Sequence, residues 1–362
     1  MSSLQAMTTY SVSKTNDESV SEMGDEASAV RAVKAMGVVH DRYGQPDEVL
    51  YTEQIEVGPV GPDEVLLEVE AASLNPLDWH FTTGTPLMLR VMAGFRAPKS
   101  RVRGRDVAGR VIAVGNEVTN LSVGDLVFGG VDGSFAEYAT AKPHNLAVVP
   151  DGCSAEEAAA VPIAAATALQ AIDDHAPVEP GQRVLVNGAA GGVGTMAVQI
   201  AVARGAEVVG VCSAKNVGMI KRLGASQVID YTSADSLAAA RAAGPFEVII
   251  DGVGNWSTRE LKSLLTESGA VVAFSGPKKN PLVGPFLSMI RKQLAFRFGS
   301  QSYAQFTATL KDSMDPIAAL LASGDLRPEI HRTISLDEVP AALAELGEGH
   351  TPSKVVVQIA AD

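Results

Sequence analysis

The amino-acid sequence predicts an α/β protein of two domains, one of them β-rich and the other built on a doubly wound parallel sheet. The chain has 362 residues, which is more than a single hydrophobic core usually organises. Its composition is 46% hydrophobic but only 5% aromatic, and this bias toward small apolar residues is typical of an α/β protein. Near Ser154 the apolar pattern changes from short runs broken by Gly and Pro to alternating strands and helices.

The first part of the chain divides into a tail and a β-rich domain. Residues 1–34 are polar and acidic, so we expect a disordered tail that lacks the basic and apolar regions of a signal peptide. Residues 35–154 form the β-rich domain, in which the apolar runs are too short for helices. The predicted strands are 65–70, 107–114 and 125–128, with turns at 116–117 and 132–133.

Residues 155–322 form the second predicted domain, where strands and helices alternate as in a parallel sheet with helical crossovers. Its first helix, 155–172, is interrupted at Pro162, because proline lacks an amide hydrogen and clashes with the preceding turn. The pattern then predicts strands at 183–187, 207–212, 227–231, 246–251, 270–274 and 294–298, with helices at 192–204, 216–223, 236–242 and 303–322. Residues 323–362 are mixed, and we expect them to pack back on the first domain.

The bulk properties exclude several classes of protein. A net charge of -13 argues against a general nucleic-acid binder. The two cysteines, Cys153 and Cys212, cannot supply a four-cysteine zinc site, and they fit a reducing compartment. No run reaches the ~20 apolar residues that span a bilayer. We therefore expect a cytoplasmic location.

A glycine-rich turn, Asn-Gly-Ala-Ala-Gly-Gly-Val-Gly at 187–194, joins a predicted strand to a predicted helix. This order is typical of a dinucleotide site, because amides at the helix start face the negative pyrophosphate. Gly191 would let the backbone approach the pyrophosphate, and Gly194 would let the helix pack on the strand. Ala189 stands where the first Gly of the usual pattern would be, and a turn without a ligand is the alternative. The predicted cofactor contacts are Ala190, Gly191, Gly192, Val193 and Gly194.

The end of the next strand favours NADP(H) over NAD(H). An Asp or Glu there would bind the ribose hydroxyls of NAD and repel a 2'-phosphate. The chain instead has Ser213, which can donate a hydrogen bond, and Lys215, which adds positive charge. Tyr231, after the third strand, could add a hydroxyl. Alternatively, Lys215 is a solvated helix start and Tyr231 an ordinary surface residue.

Two further strands end in small or polar residues at the carboxyl edge, where ligands bind in open α/β sheets. Asp251 precedes Gly252 and Val253 at the end of the fourth strand. The fifth strand ends in Phe274, Ser275 and Gly276. We predict that Gly252 and Val253 of the fourth strand end, and the three residues that end the fifth strand, contact the cofactor.

Several further motifs are spread along the chain. They are residues 71–79, Gly-Arg-Asp-Val-Ala-Gly at 104–109, Val-Gly-Asp-Leu-Val at 123–127, residues 191–194, Cys-Ser-Ala-Lys-Asn at 212–216, Leu-Gly-Ala at 223–225 and Ile-Asp-Tyr at 229–231. On these motifs the chain resembles the medium-chain dehydrogenase/reductase superfamily, in its zinc-free quinone oxidoreductase branch. Within that branch it is most similar to the chloroplast-envelope-type quinone oxidoreductases and the alkenal/enone reductases. The resemblance implies a GroES-like catalytic domain, a Rossmann NADP-binding domain, NADPH as hydride donor, a quinone or α,β-unsaturated carbonyl as acceptor, and a homodimer.

The resemblance also implies roles for single residues. Asn75 matches a residue beside the nicotinamide ribose, and Asp78 would order the same loop or serve only as a turn carboxylate. Thr167 matches a threonine near the phosphates or nicotinamide, although it could be a helix-interior hydroxyl. Lys354 would reach the cofactor or lie on the surface. Asn75 and Asp78 are thus the predicted catalytic residues.

No metal is predicted. Zinc members of the superfamily carry a Cys at the position of Asn75 or Pro76, His-Glu in place of Arg105-Asp106, and a third ligand in the region 158–166, which here lacks Cys and His. Without a Lewis acid, simple alcohol oxidation is disfavoured. The alternatives to a quinone or enone reductase are a zinc-free alcohol dehydrogenase, an enoyl-thioester reductase and a non-enzymatic NADPH-binding regulatory protein.

The sequence identifies no clear proton donor. Tyr43 and His80 are candidates only, and a lone histidine is more often structural. Two basic segments, 85–105 and 278–292, could form a mobile lid or an apolar entrance for a lipophilic quinone. They could equally be a solvated loop and an interface.

Overall fold

The computed structural model describes residues 32–233, 235–275, 286–349 and 351–359, with the side chains of 286–289 left aside. Nearly all of the predicted acidic tail, together with Gly276, therefore lies outside the described residues. The described chain forms a two-stranded, a six-stranded and a seven-stranded sheet. None of its described helices is long and apolar enough to cross a bilayer. The mixed α/β class predicted from the sequence is confirmed.

The β-rich domain contains the first seven strands and three short helices. It begins with β1 (Val33–Val39), α1 (Pro46–Val49) and β2 (Tyr51–Val57), and β1 and β2 pair antiparallel. The larger sheet starts with β3 (Val65–Ser73), which α2 (Pro76–Thr83) and α3 (Leu89–Ala93) follow. It continues with β4 (Asp106–Val114), β5 (Leu126–Gly130), β6 (Tyr138–Ala141) and β7 (Leu146–Val148).

The six-stranded parallel sheet follows two helices, α4 (Ala155–Ala159) and α5 (Pro162–Gln170), which meet at Pro162 as the sequence predicts. Its central strands are continuous apolar runs because helices cover both faces. The elements are β8 (Arg183–Asn187), α6 (Gly192–Ala203), β9 (Glu207–Cys212), α7 (Val217–Arg222), β10 (Gln227–Asp230), α8 (Ser236–Ala243), β11 (Phe246–Asp251), α9 (Thr258–Leu264), β12 (Leu265–Ala273), α10 (Phe286–Phe296) and β13 (Ser302–Gln305). The strand order is β10-β9-β8-β11-β12-β13.

The end of the chain returns to the first sheet. After α11 (Met314–Ser323), β14 (Ile330–Ile334) and α12 (Val339–Glu348), strand β15 (Lys354–Gln358) pairs antiparallel with β3 and parallel with β14. The sheet order becomes β14-β15-β3-β4-β5-β7, with β6 also paired to β3. This return brings Lys354 beside the first residues after β3.

Two predicted elements are wrong. The apolar run 294–298 belongs largely to α10, where Ile290 and Leu294 lie one turn apart and both are exposed. Short apolar runs do not distinguish a strand from a helix. The predicted helix over 303–322 is instead a strand and a shorter helix, because Ser302–Gln305 pairs in register with Ala270–Ala273 of β12.

Candidate active site

The glycine-rich turn lies between β8 and α6. Its left-handed residue is Gly188, with φ +86°, so the buried Ala189 one position later needs no special conformation. A Cβ on Gly194 would lie 2.2 Å from the Gly188 carbonyl oxygen, which explains the requirement for Gly there. A Cβ on Gly191 would meet only that oxygen, at 3.5 Å. The backbone at Gly191 thus has open space beside it, and the dinucleotide contact of residues 190–194 stays a prediction.

A buried polar network supports this turn from below, and the sequence did not reveal it. The Asn187 side-chain amide donates to Asp251 Oδ1 and to Asn255 Oδ1, each at 2.9 Å. The amides of Val253 and Gly254 also donate to Asp251 Oδ1, at 3.2 and 2.9 Å. The network ties the end of β8 to the end of β11. The signal for this network in the sequence is a carboxylate, Asp251, at the end of a predicted strand. The structure shows that Asp251 is fully buried.

The predicted contacts at the carboxyl edge lie close to one another. The Gly252 amide donates to the Asn187 carbonyl at 3.0 Å. A Cβ on Gly252 would lie 2.8 Å from the Phe274 ring, so these two residues are in contact. Val253 is 42% exposed, and Ser275 is half-buried. This edge therefore presents apolar and polar groups beside the glycine turn.

The region predicted to bind a 2'-phosphate follows β9. The Asn216 side chain donates to Ser213 Oγ at 3.2 Å, and the Tyr231 amide donates to the Cys212 carbonyl at 3.0 Å. Lys215 is exposed, and the Tyr231 side chain is exposed as well. The structure thus brings Ser213, Lys215 and Tyr231 to adjacent strand ends.

A carboxylate also lies at this edge, on the neighbouring strand. Asp230 is paired in register with Cys212, the residue before Ser213. The Thr232 hydroxyl and amide donate to Asp230 Oδ1 at 2.7 and 2.9 Å, and these bonds hold the pKa of Asp230 below its usual value. Asp230 is therefore an ionised group engaged with its own turn. Sequence reasoning did not consider it.

A second polar cluster lies on the catalytic domain, where β3 ends. The Lys354 ammonium, 3% exposed, donates to Asn75 Oδ1 at 2.7 Å, to the Leu74 carbonyl at 3.1 Å and to Asp106 Oδ2 at 3.1 Å. Asn75 Nδ2 donates to the same Asp106 oxygen at 2.9 Å. Lys354 is thus a buried member of the site rather than the surface charge that the sequence left open.

Asp78 orders the loop that carries Asn75. Its Oδ2 accepts a hydrogen bond from the backbone amide of Asn75 at 2.8 Å, at the start of α2. Burial raises the pKa of Asp78 to about 7, and the nearby Asp106 carboxylate acts in the same direction. Asp78 is 2% exposed, and this carboxyl group is therefore shielded from solvent.

Three other candidate residues donate hydrogen bonds to backbone carbonyls. Thr167 Oγ1 donates to the Ile163 carbonyl one turn earlier, at 2.7 Å. The Tyr43 hydroxyl donates to the Gly94 carbonyl at 2.6 Å, and His80 Nδ1 donates to the Thr85 carbonyl at 2.6 Å. These bonds agree with structural roles for Tyr43 and His80. The cofactor contact of Thr167 stays a prediction.

The two clusters meet at the C-terminal segment. The Ser353 amide donates to the Ala190 carbonyl at 2.7 Å, and Ser353 forms a parallel bridge with Gly191. The next residue, Lys354, reaches Asn75. Consecutive residues of one segment therefore connect the glycine turn of one domain to the Asn75 cluster of the other.

Comparisons with known proteins define the family. A family model described as "Alcohol dehydrogenase GroES-like domain" matches residues 61–151, and one described as "Zinc-binding dehydrogenase" matches residues 223–357. Over 359 residues the chain is 30% identical to the mitochondrial NAD(P)H oxidoreductase RTN4IP1 of Bos taurus, covering 89% of this chain and 88% of that protein. It is also 30% identical to the chloroplastic quinone-oxidoreductase homolog of Spinacia oleracea, covering 90% and 99%.

A solved structure agrees with these relatives. The quinone oxidoreductase from Coxiella burnetii superposes with a TM-score of 0.79 at 28% identity, covering 91% of this chain and 100% of that one. Fold and relatives together define an NAD(P)H-dependent oxidoreductase with a GroES-like and a Rossmann-like part. The chain belongs to the medium-chain dehydrogenase/reductase superfamily, close to its quinone oxidoreductases, as the resemblance in the sequence indicated.

The residues at the zinc positions of the superfamily do not fit zinc. The resemblance places Asn75 or Pro76 at the first position and Arg105-Asp106 at the second. The side-chain oxygens of Asn75 and Asp106 accept hydrogen bonds from the Lys354 ammonium. Catalytic zinc in proteins is bound mainly by thiolate and imidazole. Among the described residues, no group of three His, Cys, Asp or Glu side chains could hold a metal ion.

Proposed function

We propose that this protein is an NADPH-dependent reductase that transfers hydride to a quinone or an α,β-unsaturated carbonyl compound without a metal ion. The observation that carries the proposal is the contact between the glycine turn and the Asn75 cluster, made by Ser353 and Lys354. Hydride transfer needs a cofactor and an acceptor held in one cleft in a fixed orientation. The contact joins a phosphate-binding turn to a polar group of the acceptor domain.

NADPH, when bound, supplies the hydride. The remaining work belongs to the chain, which binds, orients and shields the reactants. The amides at the start of α6 would hold the pyrophosphate. Asn75 would orient the nicotinamide ribose, while Thr167, Gly252, Val253, Phe274, Ser275 and Gly276 would surround the cofactor.

The acceptor is expected to be electronically activated. Oxidation of a simple alcohol needs a group that stabilises an alkoxide, usually a Lewis acid. The residues at the zinc positions do not fit that role, and Tyr43 and His80 donate hydrogen bonds to backbone carbonyls. An enone or quinone can accept hydride with less assistance, and water or a hydroxyl can then supply the proton. A zinc-free alcohol dehydrogenase, an enoyl-thioester reductase and a non-enzymatic NADPH-binding protein are the alternatives.

The 2'-phosphate preference rests on Ser213 and Lys215. A hydroxyl and an exposed ammonium favour a phosphate, whereas a carboxylate after the second strand would repel it. Asp230 opposes this preference to some extent, because its carboxylate lies on the next strand. Its hydrogen bonds to Thr232 keep it on its own turn. We therefore propose NADPH as the cofactor.

Substitution Lys215→Asp tests this cofactor preference. The new carboxylate would repel the 2'-phosphate and suit ribose hydroxyls, so we expect the KM for NADPH to rise about tenfold or more while the KM for NADH changes little. Lys221→Asp makes the same charge change at an exposed position of α7 and is the control. Equal effects of Lys215→Asp on both cofactors, or a native enzyme that uses NADH as well as NADPH, would refute the role of Lys215.

The assembly and compartment remain expectations. A homodimer is proposed from the family resemblance, and light scattering of the purified protein tests it. The names of the two relatives place one in mitochondria and the other in chloroplasts, so a cytoplasmic location stays a prediction.

A further inference from the structure

The Lys354 ammonium has no hydrogen left for a ligand. A lysine ammonium carries three donors, and three oxygens accept from this one: the Leu74 carbonyl, Asn75 Oδ1 and Asp106 Oδ2. The group is also buried, since its side chain is 3% exposed. Lys354 is therefore not available as a direct hydrogen-bond donor to the cofactor in this arrangement.

The Asp106 carboxylate accepts four hydrogen bonds and joins its own strand to four other elements. Its Oδ2 accepts from Lys354 on β15, from Asn75 before α2 and from the Ser73 hydroxyl on β3, the last at 3.0 Å. Its Oδ1 accepts from the Ile163 amide in the first turn of α5, at 3.0 Å. Asp106 itself lies on β4 and is fully buried. One carboxylate thus fixes the position of Asn75 relative to α5, the helix that carries Thr167.

The other end of the lysine lies against the nucleotide site. A Cβ on Gly192 would lie 3.0 Å from Lys354 Cδ and 3.4 Å from the Ser353 carbonyl oxygen. Ser353 adopts φ 45°, an unusual backbone conformation for a residue with a side chain, and its amide bonds to Ala190. The lysine stem therefore touches the phosphate-binding turn while its ammonium holds Asn75.

We propose that Lys354 and Asp106 are positioning residues that form an interdomain clamp: they transmit the position of the glycine turn to Asn75 and so align the cofactor with the acceptor. The clamp rests on the proposed function for the role of Asn75. Neither residue touches the reacting atoms. Their effect is on alignment, so they should influence turnover far more than cofactor affinity.

A double-mutant cycle separates positioning from simple stability. Lys354→Met keeps the stem and leaves Asp106 without its cation, and Asp106→Asn leaves Lys354 without its anion. Each single variant should lower Tm, because an unpaired buried charge is unfavourable. The double variant carries neither charge and should recover part of the lost Tm, although the hydrogen bonds of Lys354 to Leu74 and Asn75 remain absent. We expect its kcat to remain reduced at least about tenfold, with the Kd for NADPH changed less than about threefold.

The exposed ion pair Lys142–Asp63, 2.7 Å long, provides the matched control. Lys142→Met, Asp63→Asn and their double variant should leave kcat unchanged. Recovery of both Tm and kcat in the Lys354→Met/Asp106→Asn variant would overturn the proposal, since the pair would then serve stability alone. A large loss of NADPH affinity in Lys354→Met with kcat retained would overturn it too, because Lys354 would then be a cofactor ligand.

Hydrogen exchange tests the clamp without an acceptor. In the native protein, NADPH should protect both the glycine turn and residues 74–83 from exchange. In the double variant, it should protect only the turn. Protection of both segments in the double variant contradicts the clamp. A native protein that binds NADPH with this pattern but reduces no acceptor contradicts the proposed function and leaves the clamp supported.

Discussion

At the scale of single residues, the sequence motifs point to residues of the buried cluster but not to the contacts between them. Asn75, Asp78 and Lys354 were identified by matching motifs, and the structure places all three in one buried cluster. Asp106 was considered only as a substitute for a metal ligand. Its contact with Lys354 spans 248 positions in the chain, so no local periodicity could connect the two. The same holds for Asn187 and Asp251, which pair across strand ends.

Asp78 makes stability depend on pH. The pKa of its carboxyl group is raised to about 7 in the folded protein, chiefly by burial, from an ordinary value of 3.8. Between these values the unfolded chain has lost the proton and the folded chain keeps it. The contribution of Asp78 to the free energy of unfolding is therefore fully present at low pH, and it is lost as the pH rises from about 4 toward about 7.

Substitution Asp78→Asn should remove this contribution. Because the amide does not titrate and its oxygen can still accept from the Asn75 backbone, the free energy of unfolding should fall less between about pH 4.5 and about pH 7.5 than in the native protein. Urea unfolding of both proteins at the two pH values measures this change in the free energy of unfolding. Asp151→Asn, at an exposed turn, is the control. An unchanged pH dependence in Asp78→Asn would show that the buried carboxyl is not the source.

At the scale of elements, alternation and glycine chemistry predicted most of the parallel sheet. Pro162 separates α4 from α5, and the turn before α6 lies where the sequence indicates. The errors fall at 294–298 and 303–322. At 303–322, the pairing of β13 with β12 determines the structure, and that pairing depends on residues about thirty positions away in the chain rather than on local propensity.

Two alanine substitutions in the glycine turn should have different effects. Gly194→Ala places a Cβ 2.2 Å from the Gly188 carbonyl oxygen, so it should reduce stability by about 1–3 kcal/mol. Gly191→Ala meets no atom closer than 3.5 Å and should fold normally, but its methyl group would occupy the space proposed for the pyrophosphate. Thermal unfolding and NADPH titration of both variants measure this. Full NADPH affinity in a stable Gly191→Ala protein would place the pyrophosphate elsewhere.

At the scale of the whole molecule, the C-terminal return determines the site. Strand β15 joins the sheet of the catalytic domain, and the residue before it contacts the glycine turn of the nucleotide domain. The sequence predicted that the end of the chain would pack back on the first domain. It did not reveal that this packing places an ammonium among Leu74, Asn75 and Asp106, because that arrangement depends on the register between β15 and β3.

The central claim is hydride delivery from NADPH to an activated acceptor, and isotope transfer tests it most directly. The purified enzyme is mixed with NADPH carrying deuterium at the transferable nicotinamide position and with a small enone, and the product is analysed by mass spectrometry and NMR. We predict one deuterium at the β-carbon of a saturated ketone. Deuterium on the carbonyl carbon of an alcohol would indicate an alcohol dehydrogenase. No oxidation of tightly bound NADPH by any enone, quinone or enoyl thioester would contradict the enzymatic role altogether.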